Sequence, residues 1–191
     1  MYKITSFITN SSLEKIRMLK NTSCSIWVDE PRLPKKKDSI NFSMGLNLRV
    51  ENENEEYIIK SVPEIKEDGE ETPRLVAFFQ DNNICTAREW GNVINHKVIK
   101  TISIIKDHMI WENEDNLWDR KIDVGIKMIS KDNFTFIIMS TFSGVGLFKI
   151  WYADYLFDVK KKGEEILEHW GIGFRNVEEF IKLERLEKEL L

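Results

Sequence analysis

Apolar and polar residues alternate over much of this chain, and the period of the alternation changes along it. Period-2 stretches predict half-buried strands at "SCSIWV" (23–28), "INFSMGLNLRV" (40–50), "EYIIKSV" (56–62), "RLVAFFQ" (74–80) and "HKVIKTISIIK" (96–106). "YKITSFIT" (2–9) adds a short strand. The strongest local pattern is "KIDVGIKMIS" followed by "KDN" and "FTFIIMST", which predicts an antiparallel hairpin turning at Lys131, Asp132 and Asn133. "GVGLFKIWYADYLF" (144–157) supplies a further strand that runs into a turn or short helix.

Helical spacing shows in two places. "SSLEKIRML" (11–19) opens with a serine N-cap and spaces Leu13, Ile16 and Leu19 as a helix would. "FRNVEEFIKLERLEKELL" (174–191) predicts a C-terminal helix, supported by Glu178 with Lys182 and Glu184 with Lys188 at i,i+4. In that helix the apolar pattern changes phase. At roughly 100° per residue, Phe174, Val177, Phe180 and Ile181 share one face, and Leu183, Leu186 and Leu190 fall on another. Such a split face predicts contact with a second element or a second chain, and hence possible homo-oligomers through the helix. The elements together predict the α+β class: a single domain over 1–191, a mostly antiparallel sheet, a short N-terminal helix, and a C-terminal helix packed on or beside the sheet. All four prolines lie in "PRLPKKKD" and "PEIKEDGEETP", which predict exposed loops near 31–39 and 62–73. The helical tail is expected over 163–191.

Composition narrows the function classes. A chain of 191 residues, 42% hydrophobic, can bury one substantial core. Lys+Arg 28 against Asp+Glu 32 give a net charge of −4, which argues against whole-surface nucleic-acid binding. The sequence has no apolar run long enough to span a bilayer and no secretory signal pattern, so a cytoplasmic protein is expected. Cys24 and Cys85 form neither a CxxC pair nor a disulfide framework, which fits a reducing compartment.

Candidate chemistry is sparse. Gly144 and Gly146 in "STFSGVGLFKIWY" lack the third glycine and the following helix of a dinucleotide site; they read as a bulge or tight turn. His108 and Glu112 stand four apart, as metal ligands on one helix face would, yet one imidazole with scattered carboxylates is a weak ligand set. His96, His169 and Cys85 carry no nucleophile signature. No cofactor and no metal are expected.

What remains is surface. "DHMIWENEDNLWD" (107–119) interleaves five acidic groups with two tryptophans, and tryptophan is favoured at protein contacts for its large area at low entropic cost. Trp111, Glu112, Glu114, Asp115, Trp118 and Asp119 are the predicted partner-binding residues, facing a protein with a basic surface. Residues 51–71 form a second acidic stretch with nine carboxylates against Lys60 and Lys66. The expectation is a non-catalytic protein-binding module, of the inhibitor or immunity type with which bacteria and phages block a toxin or defence enzyme. The alternatives are an enzyme with a non-local site around His108, Glu112 and Cys85, or a nucleic-acid or nucleotide binder using the lysine triplets 35–37 and 160–162.

Overall fold

The structure, a computed structural model, describes residues 1–6, 8–28, 40–41, 48–51, 56–65, 71–79, 91–112, 115–140, 148–153 and 179–191. It holds β1 (Tyr2–Ser6), α1 (Asn10–Arg17), β2 (Ser23–Val28), β3 (Ile40–Asn41), β4 (Leu48–Glu51), β5 (Glu56–Ile65), β6 (Glu71–Phe79), β7 (Gly91–Glu112), β8 (Leu117–Ser130), β9 (Thr135–Ser140), β10 (Phe148–Ala153) and β11 (Glu179–Glu189). The mostly antiparallel sheet and the short N-terminal helix are as the patterning predicts.

The C-terminal helix is not. Residues Glu179–Glu189 form strand β11, paired antiparallel with β7 from Glu179 opposite Glu112 to Glu189 opposite Ser103. Any self-association through this segment therefore cannot be helical. Tertiary context overrides a segment of good helix formers. The open edge of β7 accepts it, Leu190 N–H donates to Ile102 O at 2.8 Å, and Arg185 pairs with the buried Asp107. Residues 163–178 of the expected helical tail lie outside the described residues. The expected loop over 62–73 is also shorter than the proline content suggests. β5 runs on to Ile65 and β6 starts at Glu71, with Pro63 and Pro73 opposite each other in the register. The 31–39 loop lies outside the described residues.

The architecture is organised by β7 and β8, a long antiparallel ribbon paired from Ile99–Ser130 to Glu112–Leu117. Each member divides its other edge between two strands. β7 gives its first part to β2 and its second to β11; β8 gives its first part to β1, in parallel, and its second to β9. The remaining strands continue outward, β10 and β3 beyond β9, and β4, β5 and β6 beyond β2. Bulges bend the ribbon. Between β2 and β7 the register slips twice around Ile26, and His96, at φ 47, takes the strained position with its N–H donating to Ser25 Oγ at 3.0 Å.

The bend brings β2, β4, β5 and β6 over β8, β9 and β10. The space between is the main core, with Ile26, Val50, Tyr57, Leu75, Ile102, Ile126, Phe136 and Ile150 all essentially buried. The helix α1 closes one side. Its N-cap is Thr9, whose side chain accepts from Ser12 N–H, two residues before the predicted cap at Ser11. Ile16 and Leu19 enter the core, and Ser12 Oγ accepts from Ala77 N–H at 3.1 Å while lying 3.3 Å from Ala77 O. A side chain thus occupies β6 where a neighbouring strand's backbone would pair.

The reverse face of the ribbon is buried as well. Ile105, Met109, Ile122, Ile137, Met139 and Trp151 line it, together with Asp107 and Arg120. The predicted hairpin is present, with Asn133 at φ 64 and its N–H donating to Ser130 O. Gly125 lies close against β9: a Cβ there would stand 2.5 Å from Ile138 O.

Candidate partner-binding site

Strand geometry decides how the predicted site residues are presented. "DHMIWE" continues β7 and "LWD" opens β8, so residues 107–112 and 117–119 form the end of the ribbon rather than a helix. His108 and Glu112 share a face because four residues is an even number of strand steps, but they stand roughly 13 Å apart along the strand. They do not converge on a common ligand. Among the described residues no group of three or more His, Cys, Asp or Glu is arranged to hold a metal ion.

Alternation along β8 also separates the predicted residues. Trp118 lies on the face that carries Arg120 and Ile122, whereas Leu117, Asp119 and Lys121 lie on the other. Glu112 and Asp115 are exposed at the ribbon end, Leu117, Trp118 and Asp119 are half-buried, and Glu114 lies outside the described residues. The register sets Trp111 directly opposite Trp118, with Tyr2 of β1 and Phe180 of β11 next in line. Four aromatic residues thus stand abreast in four adjacent strands.

Asp119 is engaged within the chain. Its Oδ1 lies 2.8 Å from His108 Nε2, across the ribbon and one step diagonal to the direct pair His108–Lys121. Glu184 of β11 stands opposite His108 on the other side and makes an ion pair with Lys182 at 3.1 Å. This face is therefore a ladder of mixed charge, and its acidic groups are partly balanced by neighbours. The same holds for part of the 51–71 stretch. Glu51 and Glu56 are opposite each other in β4 and β5, and both reach Arg49 at 3.6 Å, which itself lies 4.4 Å above the Trp27 ring.

Sequence reasoning missed the buried charges. Arg185 donates from Nε to Asp107 Oδ1 at 2.6 Å and from Nη2 to Oδ2 at 2.5 Å, with both side chains nearly or fully buried. Asp123, also buried, accepts from Ile8 N–H at 3.0 Å and meets Lys106 Nζ at 2.8 Å. The signal available was the hairpin itself: once the turn is placed between Glu112 and Leu117, Asp119 falls beside His108 and Asp123 beside Lys106. Asp107–Arg185 had no such signal, because the helical reading of 174–191 removed its partner from the sheet.

Cys24 is a buried thiol that donates to Leu19 O at 3.7 Å, and the exposed His96 belongs to the bulge described above. Cys85, His169, Gly144, Gly146 and both lysine triplets lie outside the described residues. No helix among the described residues is long and apolar enough to cross a membrane. Comparison with protein-family models, curated proteins and solved structures gives no match to this chain.

Proposed function

We propose that this chain is a non-catalytic, cytoplasmic protein-binding module that docks a basic partner through the end of the β7–β8 ribbon, as an inhibitor or immunity-type protein does against a toxin or defence enzyme. One observation carries the reading: exposed Glu112 and Asp115 close the ribbon next to the half-buried Trp118. Carboxylates at the tip steer an approaching basic surface, and a partly accessible tryptophan supplies area that becomes dry on contact. Because Asp119 is held by His108, the steering charge resides in Glu112 and Asp115.

The test is affinity capture from the native host with three baits: wild type, Trp118→Ala, and Glu112→Lys with Asp115→Lys. The expected result is a basic protein retained by wild type and lost from both variants. Trp118→Ala weakens the purified complex by about 2 kcal/mol through faster dissociation. The charge variant slows association and reduces its salt dependence. Folded variants that retain the same protein as wild type would overturn the reading.

One observation favours a second reading, an enzyme that uses His108 as a general base. Its Nε2 lies 2.8 Å from Asp119 Oδ1, the pairing that orients an imidazole for proton transfer. Replacing His108 by alanine distinguishes the two: the binding reading expects partner capture to persist, the enzymatic one expects loss of cellular function in a folded protein.

A further inference from the structure

Strand β11 has one neighbour among the described residues. It is hydrogen-bonded to β7 along one edge, and Glu184 and Leu186 to Glu189 are exposed. Leu186, at 49%, is an exposed large apolar side chain in the middle of a strand edge. An open edge offers unpaired backbone groups to any other strand, and charge normally protects it. Here the signs of the charges follow an order that does more than protect.

We propose that β11 pairs edge to edge, antiparallel, with β11 of a second copy of this chain, centred on Leu186. In that register Leu186 faces the partner's Leu186, and Glu184 faces the partner's Lys188. On the other face Arg185 stands opposite the partner's Glu187. Two-fold symmetry makes the Glu184–Lys188 and Arg185–Glu187 pairs twice and the Leu186 pair, on the axis, once. The neighbouring registers are all poorer. A shift of one residue in one direction sets Glu184 against the partner's Glu187, and in the other it sets Glu184 against the partner's Glu189. A shift of two sets either Lys182 against the partner's Lys188 or Glu187 against the partner's Glu187. Like charges directly opposite one another destabilise a strand pair, so the sequence selects one register and rejects four. The central leucine pair is then covered on its own face by the two Glu184–Lys188 pairs. This surface is separate from the ribbon end that carries Glu112, Asp115 and Trp118.

Sedimentation velocity over a concentration series tests the register directly, with thermal unfolding as the check on folding. Wild type should be a concentration-dependent dimer. Glu184→Lys alone sets Lys against Lys at both outer pairs, and Lys188→Glu alone sets Glu against Glu; each weakens the dimer about tenfold or more. Mixed together, the two weakened variants should form a heterodimer, because every outer pair then joins a lysine of one chain to a glutamate of the other in the same register. The doubly exchanged chain, Glu184→Lys with Lys188→Glu, should dimerise as wild type does. Leu186→Lys should be a folded monomer. The proposal is overturned by a wild type that stays monomeric up to about 1 mM. It is equally overturned by a dimer that neither single exchange weakens, or by single variants whose mixture associates no better than either alone.

Discussion

Removing Arg185 should be the most damaging change available in β11. The pair it forms with Asp107 is almost wholly withdrawn from water: Asp107 is 2% exposed, and the two hydrogen bonds measure 2.6 and 2.5 Å. Truncation to Arg185→Ala leaves a buried carboxylate with its counter-charge gone, which costs about 3–5 kcal/mol. Domains of this size have about 5–15 kcal/mol in total, so the loss is a large share of the whole. The other ion pairs that hold β11 weigh much less. Lys127–Glu187 at 3.0 Å and Lys20–Glu189 at 3.4 Å are partly exposed, and such pairs contribute about 0.2–1 kcal/mol each. Asp107→Asn should fall between, because it removes the charge yet keeps an acceptor. Replacing both partners, as Asp107→Leu with Arg185→Met, should restore stability to within about 1 kcal/mol of wild type or exceed it, since burying the pair already costs desolvation. Urea unfolding of wild type, Asp107→Leu, Arg185→Met and the double replacement completes the cycle. Hydrogen exchange at the β11 amides shows whether the loss is local. The reasoning is refuted if Arg185→Ala costs less than about 1 kcal/mol, or if the double replacement is as unstable as the two single ones added together.

Two further changes probe the ribbon. Gly125→Ala would set a methyl group 2.5 Å from Ile138 O and 2.7 Å from Met139 Cγ, and overpacking of this kind costs about 1–3 kcal/mol; a denaturation midpoint equal to wild type would refute the close approach of β8 and β9. At the hairpin, Lys97 and then Ser130, by hydrogen bonding, hold the Asp132 carboxyl below its usual range. A carboxyl depressed on folding stabilises above its unfolded value and loses that contribution as the pH falls through its folded value, so the stabilisation fades below about pH 4. The Tm difference between wild type and Lys97→Met should therefore narrow on acidification from neutral pH, and a difference independent of pH would reject the linkage.

The legible parts of the fold were those fixed by local contacts. "SCSIWV" becomes β2 over the same six residues, and the Lys131–Asn133 turn joins β8 to β9, because alternation and turn residues act over a few positions. The C-terminal segment shows where this fails. Residues at i,i+4 share a face in a strand as well as in a helix, so Glu184 with Lys188, like His108 with Glu112, fits both. The phase change from Phe180 to Leu183 was the warning that no single helical face would serve. The parallel docking of β1 on β8 and the bidentate Asp107–Arg185 pair join residues far apart in sequence, and no window of a few residues contains them. Of the candidate site, the exposed carboxylates Glu112 and Asp115 were legible as surface. The separation of Trp118 from Asp119 was not, because it depends on knowing that both lie in a strand.

The division of each ribbon edge between two strands carries an order of events. The β7–β8 and β8–β9 pairs close through short connections, whereas β1 reaches β8, and Ile8 reaches Asp123, across separations such as 115 residues. Closing a long loop costs chain entropy that is recovered only when a surface already waits at the far end. The three-stranded meander of β7, β8 and β9 is then the scaffold on which β1 and β11 arrive, while α1 settles on β6, and their residues should mature after the barrier is crossed. Substitutions at the Asn133 turn should accordingly slow folding. Substitutions at Ser12 or Arg185 should mainly hasten unfolding; stopped-flow rates giving the reverse assignment would show that the termini dock first.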